Sequence, residues 1–234
     1  MSPIESNLQH VRAAIERARS AGSAEWTQAV ALVAVSKTKS AETVRTAYAA
    51  GQRAFGENYA QEGAAKIEAL IDIRAGLEWH FIGPLQSNKA RLVALNFDWV
   101  HTVDRVKTAE TLDRHRAGVA SPAFSPLNVC VQVNVSGEAG KSGVAPAQAL
   151  TLARAVAAFP ALRLRGLMTI IENTPDEAAQ RRQFRMLREL QNQLLNAGLT
   201  VDTLSMGMSQ DFAVAIDEGA TMVRIGSSIF GARN

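Results

Sequence analysis

The sequence predicts an α/β protein, a single (β/α)8 TIM barrel with an extra N-terminal helix before the first strand. Short β-branched segments alternate with longer segments of helical spacing, and eight such units fit within 234 residues. Helical return connections make the strands parallel, and eight units in this length favour a closed barrel over a doubly wound open sheet. We expect one domain over residues 1–234, built around one core.

The strands are predicted where short apolar runs end in polar residues. These runs are residues 31–36, 53–55, 78–82, 98–102, 128–134, 163–168, 203–205 and 222–225. The clearest helix spans 176–196, where Phe184 and several leucines recur at three- and four-residue steps. The extra helix is predicted over 3–21, with Leu8, Val11 and Ile15 on one face.

Composition and charge exclude several classes of protein. Hydrophobic residues make up 47% and charged residues 20%, as in an ordinary globular protein. The net charge of +3 comes without a basic cluster, so no nucleic-acid partner is expected. The lone cysteine, Cys130, allows no internal disulfide, and the four histidines show no metal spacing, so no metal is expected. The sequence shows no signal peptide or membrane span, which predicts a cytoplasmic protein without a membrane partner.

Lys37 is the strongest candidate for chemistry. It follows the first strand on the same side as Val33 and Val35, so its amine points to the barrel mouth if that side faces inward. Desolvation or a neighbouring cation, here Lys39, favours the neutral amine that attacks a carbonyl, as in Schiff-base lysines. The alternative is a lysine that extends from a strand end into solvent.

Two loops rich in glycine and serine follow the seventh and eighth strands. The first contains Ser209, predicted as the N-cap of the next helix, and the second contains Gly226 and Ser227. Loops at these positions often form a phosphate site in such barrels, so we predict a phosphate cradle, with ordinary turns and caps as the alternative. Arg224 is predicted either inward beside this cradle or outward at the surface.

Two further segments, around His80 and at residues 140–142, contain residue types that occur in active sites. His80 lies in an apolar strand, which is more typical of a satisfied core histidine than of a catalyst. The sequence Gly-Lys-Ser at 140–142 suggests a P-loop, but that motif requires glycine six residues before the lysine, where Val135 stands.

The chain resembles the YggS/PROSC family of pyridoxal phosphate homeostasis proteins along nearly its full length. The segments that carry the resemblance are 34–39, 55–58, 79–89, 134–136, 141–143, 166–168, 204–209 and 222–226. Segment 79–89, Trp-His-Phe-Ile-Gly-Pro-Leu-Gln-Ser-Asn-Lys, is the most specific. Ser227 stands where the family often has threonine and keeps the hydroxyl.

The resemblance implies the barrel of the alanine racemase N-terminal domain, with pyridoxal 5'-phosphate (PLP) as its cofactor. It implies a Schiff base between PLP and Lys37, Arg224 beside the pyridine nitrogen, and Asn58 close to the cofactor. It makes Ser209, Gly226 and Ser227 the phosphate ligands. An arginine keeps its proton, so the ring nitrogen would stay unprotonated and would be a weak electron sink.

We therefore expect a non-enzymatic carrier of PLP in vitamin B6 and amino-acid homeostasis, with apo PLP-dependent enzymes as recipients. The alternatives are a PLP-dependent amino-acid racemase of low activity, or a Schiff-base aldolase or phosphosugar enzyme. Racemases of this type use a further β domain and a second base, often tyrosine. This chain ends at Asn234 directly after the eighth unit, and its only tyrosines are Tyr48 and Tyr59. The missing second domain also predicts a monomer.

Overall fold

Eight parallel strands close into a barrel in sequence order, with the helices on the outside. The structure, a computed structural model, describes residues 2–22, 28–118 and 125–231. The first and eighth strands close the barrel through the parallel pairs Ala31–Met222 and Val33–Arg224. The predicted barrel is confirmed, and the doubly wound open sheet is excluded because that fold leaves two unpaired edges.

The strands agree with the predicted segments to within two residues at either end. They are β1 (Ala31–Val35), β2 (Ala54–Glu57), β3 (Glu78–Phe81), β4 (Trp99–Val103), β5 (Leu127–Gln132), β6 (Leu162–Met168), β7 (Thr203–Ser205) and β8 (Met222–Ile225). The helices are α1 (Pro3–Ala21), α2 (Ala41–Ala49), α3 (Ala60–Ala69), α4 (Ala90–Asn96), α5 (Val106–Ala117), α6 (Ala149–Ala157), α7 (Glu177–Asn196), α8 (Phe212–Asp217) and α9 (Ser227–Phe230). None of the described helices is long and apolar enough to cross a bilayer.

The apolar core has two parts, one on each side of the barrel wall. The larger part fills the space between strands and helices. The smaller part lies inside the barrel and contains Val33, Trp99, Cys130, Met168 and Met222. Burial raises the pKa of the Cys130 thiol to about 12, which makes it an inert core group.

Helix α1 is the extra element that precedes the barrel. It begins with a capping box, in which the Ser2 hydroxyl accepts from the Glu5 amide and the Glu5 carboxylate accepts from the Ser2 amide. Its buried residues Leu8, Val11 and Ile15 form the predicted apolar face. The helix packs against α2, α8 and α9, so its apolar face extends the outer core.

Truncating Leu8 tests how much this docking contributes. Leu8 is completely buried, so Leu8→Ala removes apolar contacts and leaves a cavity between α1 and the barrel helices. We expect the free energy of unfolding to fall by about 2–3 kcal/mol. Urea denaturation measures this change, with Gln9→Ala on the exposed face as the matched control. Equal stability of the two variants would contradict the docking of α1.

Candidate functional site

A cavity of about 250 Å³ opens at the carboxyl ends of the strands, where barrels of this class bind ligands. Every residue predicted for a cofactor lines it. These residues are Lys37, Asn58, Ser209, Arg224, Gly226 and Ser227. The sequence did not single out the apolar part of the wall, formed by Ile82, Ile170, Met208 and Phe230. The arrangement joins cationic, hydroxyl and apolar groups in one cavity.

Lys37 stands in a tight turn directly after β1. Val33 faces the barrel interior, so the strand alternation that directed Lys37 towards the mouth is present. Thr38, the next residue, has φ of +65°, and among the described residues it alone adopts a positive φ without being glycine. A β-branched residue in this region is strained, and such strain persists only where the surroundings hold it.

A buried polar cluster beside this turn supplies that support. The ammonium of Lys66 donates to the Ser36 carbonyl at 2.7 Å and to the carboxylates of Glu57 and Glu62 at 2.8 and 2.7 Å. The Ser36 hydroxyl also donates to Glu57, and the Thr38 amide donates to Glu62. Burial raises the pKa of Glu57, and the Lys66 charge opposes this shift. The cluster therefore ties the turn on both sides of Lys37 to β2 and α3.

The loops after β7 and β8 meet in the wall of the same cavity, beside β1. The hydroxyl of Ser227 donates to that of Ser209 at 3.2 Å. Gly226 lies so close to β1 that a Cβ would be 3.0 Å from the Val35 carbonyl oxygen. The two hydroxyls, which lie where α9 begins, suit an anionic group. The geometry thus joins the two loops that the sequence linked to phosphate.

One detail of the prediction for these loops was wrong. Ser209 is not the N-cap of the next helix, because α8 begins at Phe212 and Asp211 occupies its N-cap. The Asp211 carboxylate accepts from the Met208 amide at 2.5 Å, and this bond closes the loop before the helix. Burial raises the pKa of Asp211. The hydroxyl of Ser209 is instead turned towards the cavity and Ser227.

Arg224 points into the barrel, which excludes the predicted alternative of a surface arginine. Only 4% of its surface is exposed. Its guanidinium donates to the Ser205 hydroxyl at 2.7 Å and to the Thr169 carbonyl at 2.8 Å. Burial lowers the pKa of Arg224 to about 10, so it stays protonated at neutral pH. A fixed cation therefore forms the floor of the cavity.

Asn58 lines the same cavity from the end of β2. Its side-chain oxygen Oδ1 is buried and has no hydrogen-bond partner within the described part of the chain. An unpaired buried acceptor is unfavourable by roughly 1–3 kcal/mol, so native structures rarely keep one without a reason. A polar ligand beside Asn58 would remove this cost, which makes the cavity suited to a polar ligand.

Other residues considered from the sequence lie outside this cavity. Lys141 and Ser142 line a smaller neighbouring cavity that shares Asn58 and Ile82 with the first. The Tyr48 ring lies under the Arg53 guanidinium, 4.2 Å from ring centre to carbon, and Tyr59 is largely exposed. Across residues 2–22, 28–118 and 125–231, no group of three or more His, Cys, Asp or Glu side chains is arranged to hold a metal ion.

The fold and the cavity define a class of barrel that carries a lysine and a pair of serine hydroxyls at its mouth. Residues 6–234 match the family described as alanine racemase, N-terminal domain. The chain is 53% identical to the pyridoxal phosphate homeostasis protein of Vibrio cholerae and 55% identical to that of Pseudomonas aeruginosa. Each alignment covers 100% of this chain, and 98% and 97% of the respective relative.

A solved structure extends the comparison. PipY of Synechococcus elongatus, determined with PLP bound, superposes with a TM-score of 0.82 at 36% sequence identity. The match covers 97% of this chain and 100% of PipY. The chain belongs to the family of pyridoxal phosphate homeostasis proteins.

Proposed function

We propose that this protein binds PLP in the mouth cavity, holds it through a Schiff base on Lys37, and serves PLP and amino-acid homeostasis without catalytic turnover. The observation that carries the proposal is the meeting of Lys37, the Ser209–Ser227 hydroxyl pair and buried Arg224 around one cavity. The names of the relatives and the PLP-bound PipY structure support the choice of ligand.

The residues present fit PLP group by group. When bound, PLP supplies an aldehyde for an amine and a phosphate for an anion site. We propose Lys37 for the aldehyde, and Ser209, Gly226 and Ser227 for the phosphate. The buried Oδ1 of Asn58 has no hydrogen-bond partner in the described part of the chain, which supports a polar ligand beside it.

The charge of Arg224 supports a carrier more than an enzyme. We propose that its guanidinium faces the pyridine nitrogen. The guanidinium donates hydrogen bonds but does not give up its proton, so the ring nitrogen stays unprotonated and the ring withdraws electrons weakly. The residues that line the cavity in the described structure also include no tyrosine, histidine or carboxylate to act as a racemase base. We propose a cytoplasmic protein that delivers PLP to apo-enzymes.

The test combines spectroscopy with chemical trapping. The protein, saturated with PLP, should absorb visible light, and borohydride should reduce it to one pyridoxyl adduct that peptide mapping locates on Lys37. Amino acids incubated with the PLP-loaded protein in D2O should keep their α-protons. A colourless protein without adduct would contradict PLP binding. Exchange of α-protons that depends on Lys37 would instead support the low-activity racemase.

A further inference from the structure

A row of five polar side chains crosses the barrel interior from one end to the other. Glu78 is the first residue of β3, so it lies at the amino end, and its side chain is 50% exposed. From there, hydrogen bonds join Glu78 to His80 at 2.7 Å, His80 to His101 at 2.9 Å, His101 to Ser205 at 2.8 Å, and Ser205 to Arg224 at 2.7 Å. Both histidines and Ser205 have no exposed surface.

The two ends of this row are satisfied by an order of protons in which every bond donates in the same direction, from Arg224 towards Glu78. A guanidinium only donates and a carboxylate only accepts. In that order Ser205 accepts from Arg224 and donates to Nδ1 of His101. His101 then donates from Nε2 to Nδ1 of His80, and His80 donates from Nε2 to Oε1 of Glu78. In this order each imidazole donates from Nε2 and accepts at Nδ1.

The surroundings agree with this protonation pattern. The hydrogen bond from His80 lowers the pKa of Glu78, which keeps the carboxylate ionised. Burial holds the pKa of His101 well below its ordinary value, which keeps that ring neutral. The His80 ring also stacks on Trp99 with centroids 5.3 Å apart and an interplanar angle of 17°. Stacking and hydrogen bonds together leave little freedom for the ring to turn.

Buried Arg224 needs such a partner because its direct contacts are neutral. It donates to a hydroxyl and to a backbone carbonyl, while the charge of Asp211 acts on it through space. Burial of a cation without compensation is costly, and hydrogen bonds in series polarise one another in a medium of low dielectric constant. A row of hydrogen bonds that ends at the Glu78 carboxylate stabilises the Arg224 cation and fixes the plane of its guanidinium.

We propose that Ser205, His101, His80 and Glu78 are positioning residues that orient Arg224 and link its charge to a carboxylate at the opposite end of the barrel. The row of hydrogen bonds from Arg224 to Glu78 is formed without any ligand. Its consequence for PLP rests on the proposed function, since it requires Arg224 to face the pyridine ring.

The proton order is tested by nitrogen-15 NMR of the histidine rings in the PLP-free protein. His80 and His101, assigned with His80→Gln and His101→Gln variants, should both carry a proton on Nε2 and none on Nδ1. Glu78→Gln replaces an obligate acceptor with a group that also donates, so His80 should become a mixture of tautomers. Glu68→Gln, at an exposed position of α3, should leave both rings unchanged. A proton on Nδ1 of either ring in the wild-type protein would overturn the proposal.

The consequence for PLP is tested by removing the hydrogen bond between Ser205 and Arg224. Ser205→Ala should still give the borohydride adduct on Lys37, but PLP affinity should fall by about tenfold, the order expected for one hydrogen bond to a charged group. The visible absorption maximum of bound PLP should also shift. Thr203→Val is the matched control, because it removes another buried hydroxyl of β7. That hydroxyl donates to Asp202, which is not part of the hydrogen-bonded row.

The outcomes separate the two claims. If Ser205→Ala binds PLP with the affinity and spectrum of Thr203→Val, the positioning role is wrong. If the wild-type protein fails to bind PLP at all, the proposed function is wrong. The histidine tautomers, measured without PLP, still test the proton order along the hydrogen-bonded row.

Discussion

Replacing Lys37 with alanine is expected to abolish covalent attachment of PLP. The variant should lose the visible band of the Schiff base, and borohydride should leave no pyridoxyl group on any peptide. The reason is geometric, because the turn of residues 36–38 brings this amine to the cavity while the rest of the site lies on other strands. Absorption spectra and peptide mass measure both effects.

Lys39 provides the matched control for this prediction. It also lines the cavity, and it stands two residues further along the same turn. Lys39→Ala should keep the adduct on Lys37. An adduct on Lys39 in the Lys37→Ala variant would contradict this prediction. It would show that PLP reacts with any lysine that reaches the cavity, and that the turn of residues 36–38 does not direct the reaction to Lys37.

The part of the site that the sequence predicted follows from the topology of parallel barrels. Lys37, Asn58 and Arg224 lie at or near strand ends in the sequence, and closing the barrel brings the carboxyl ends of all strands to one face. Local pattern directed Lys37 to the mouth, whereas it left the direction of Arg224 open, and the place of Asn58 beside the cofactor was implied by the family resemblance. The strand bounds were also predictable, because apolar runs of five or so residues alternate with clear helical segments.

The cross-strand networks were not predictable in this way. His80 was interpreted as a satisfied core residue, and it is buried, but its partners are His101 on β4 and Ser205 on β7. His101 and Ser205 are 104 residues apart in the sequence. Which inward residues meet across a barrel depends on the stagger of the strands, and no local periodicity encodes it.

The support of the Lys37 turn was missed for a related reason. The sequence analysis singled out neither Glu57 nor Lys66, yet the two form a buried ion pair. A signal existed in their spacing, since a lysine nine residues after a buried strand end can reach back from the next helix. The N-cap at Asp211 was missed because serine and aspartate are comparable N-caps, and the loop closure at Met208 decides between them.

Gly83 shows how closely the site depends on backbone contact, and Gly83→Ala should strongly destabilise the fold. A Cβ at this position would lie 2.1 Å from the Asn58 carbonyl oxygen and 2.7 Å from the Asn58 Cα. These are main-chain atoms, so no side-chain rotation relieves the clash. The Gly83 carbonyl also accepts from the Thr102 hydroxyl at 2.7 Å, which ties this segment to β4.

Accommodating a methyl group therefore requires the end of β2 to separate from the segment after β3. We expect Gly83→Ala to lower the free energy of unfolding by more than about 4 kcal/mol, the range reached by severe steric disruption. Urea denaturation measures the change. Gly118→Ala is the control, because the nearest atom to its Cβ would be 3.6 Å away. A loss below about 1 kcal/mol would mean that the two segments separate easily. In that case the close approach of Gly83 to the Asn58 main chain would not fix the position of Asn58. Its other neighbours in the cavity wall would do so.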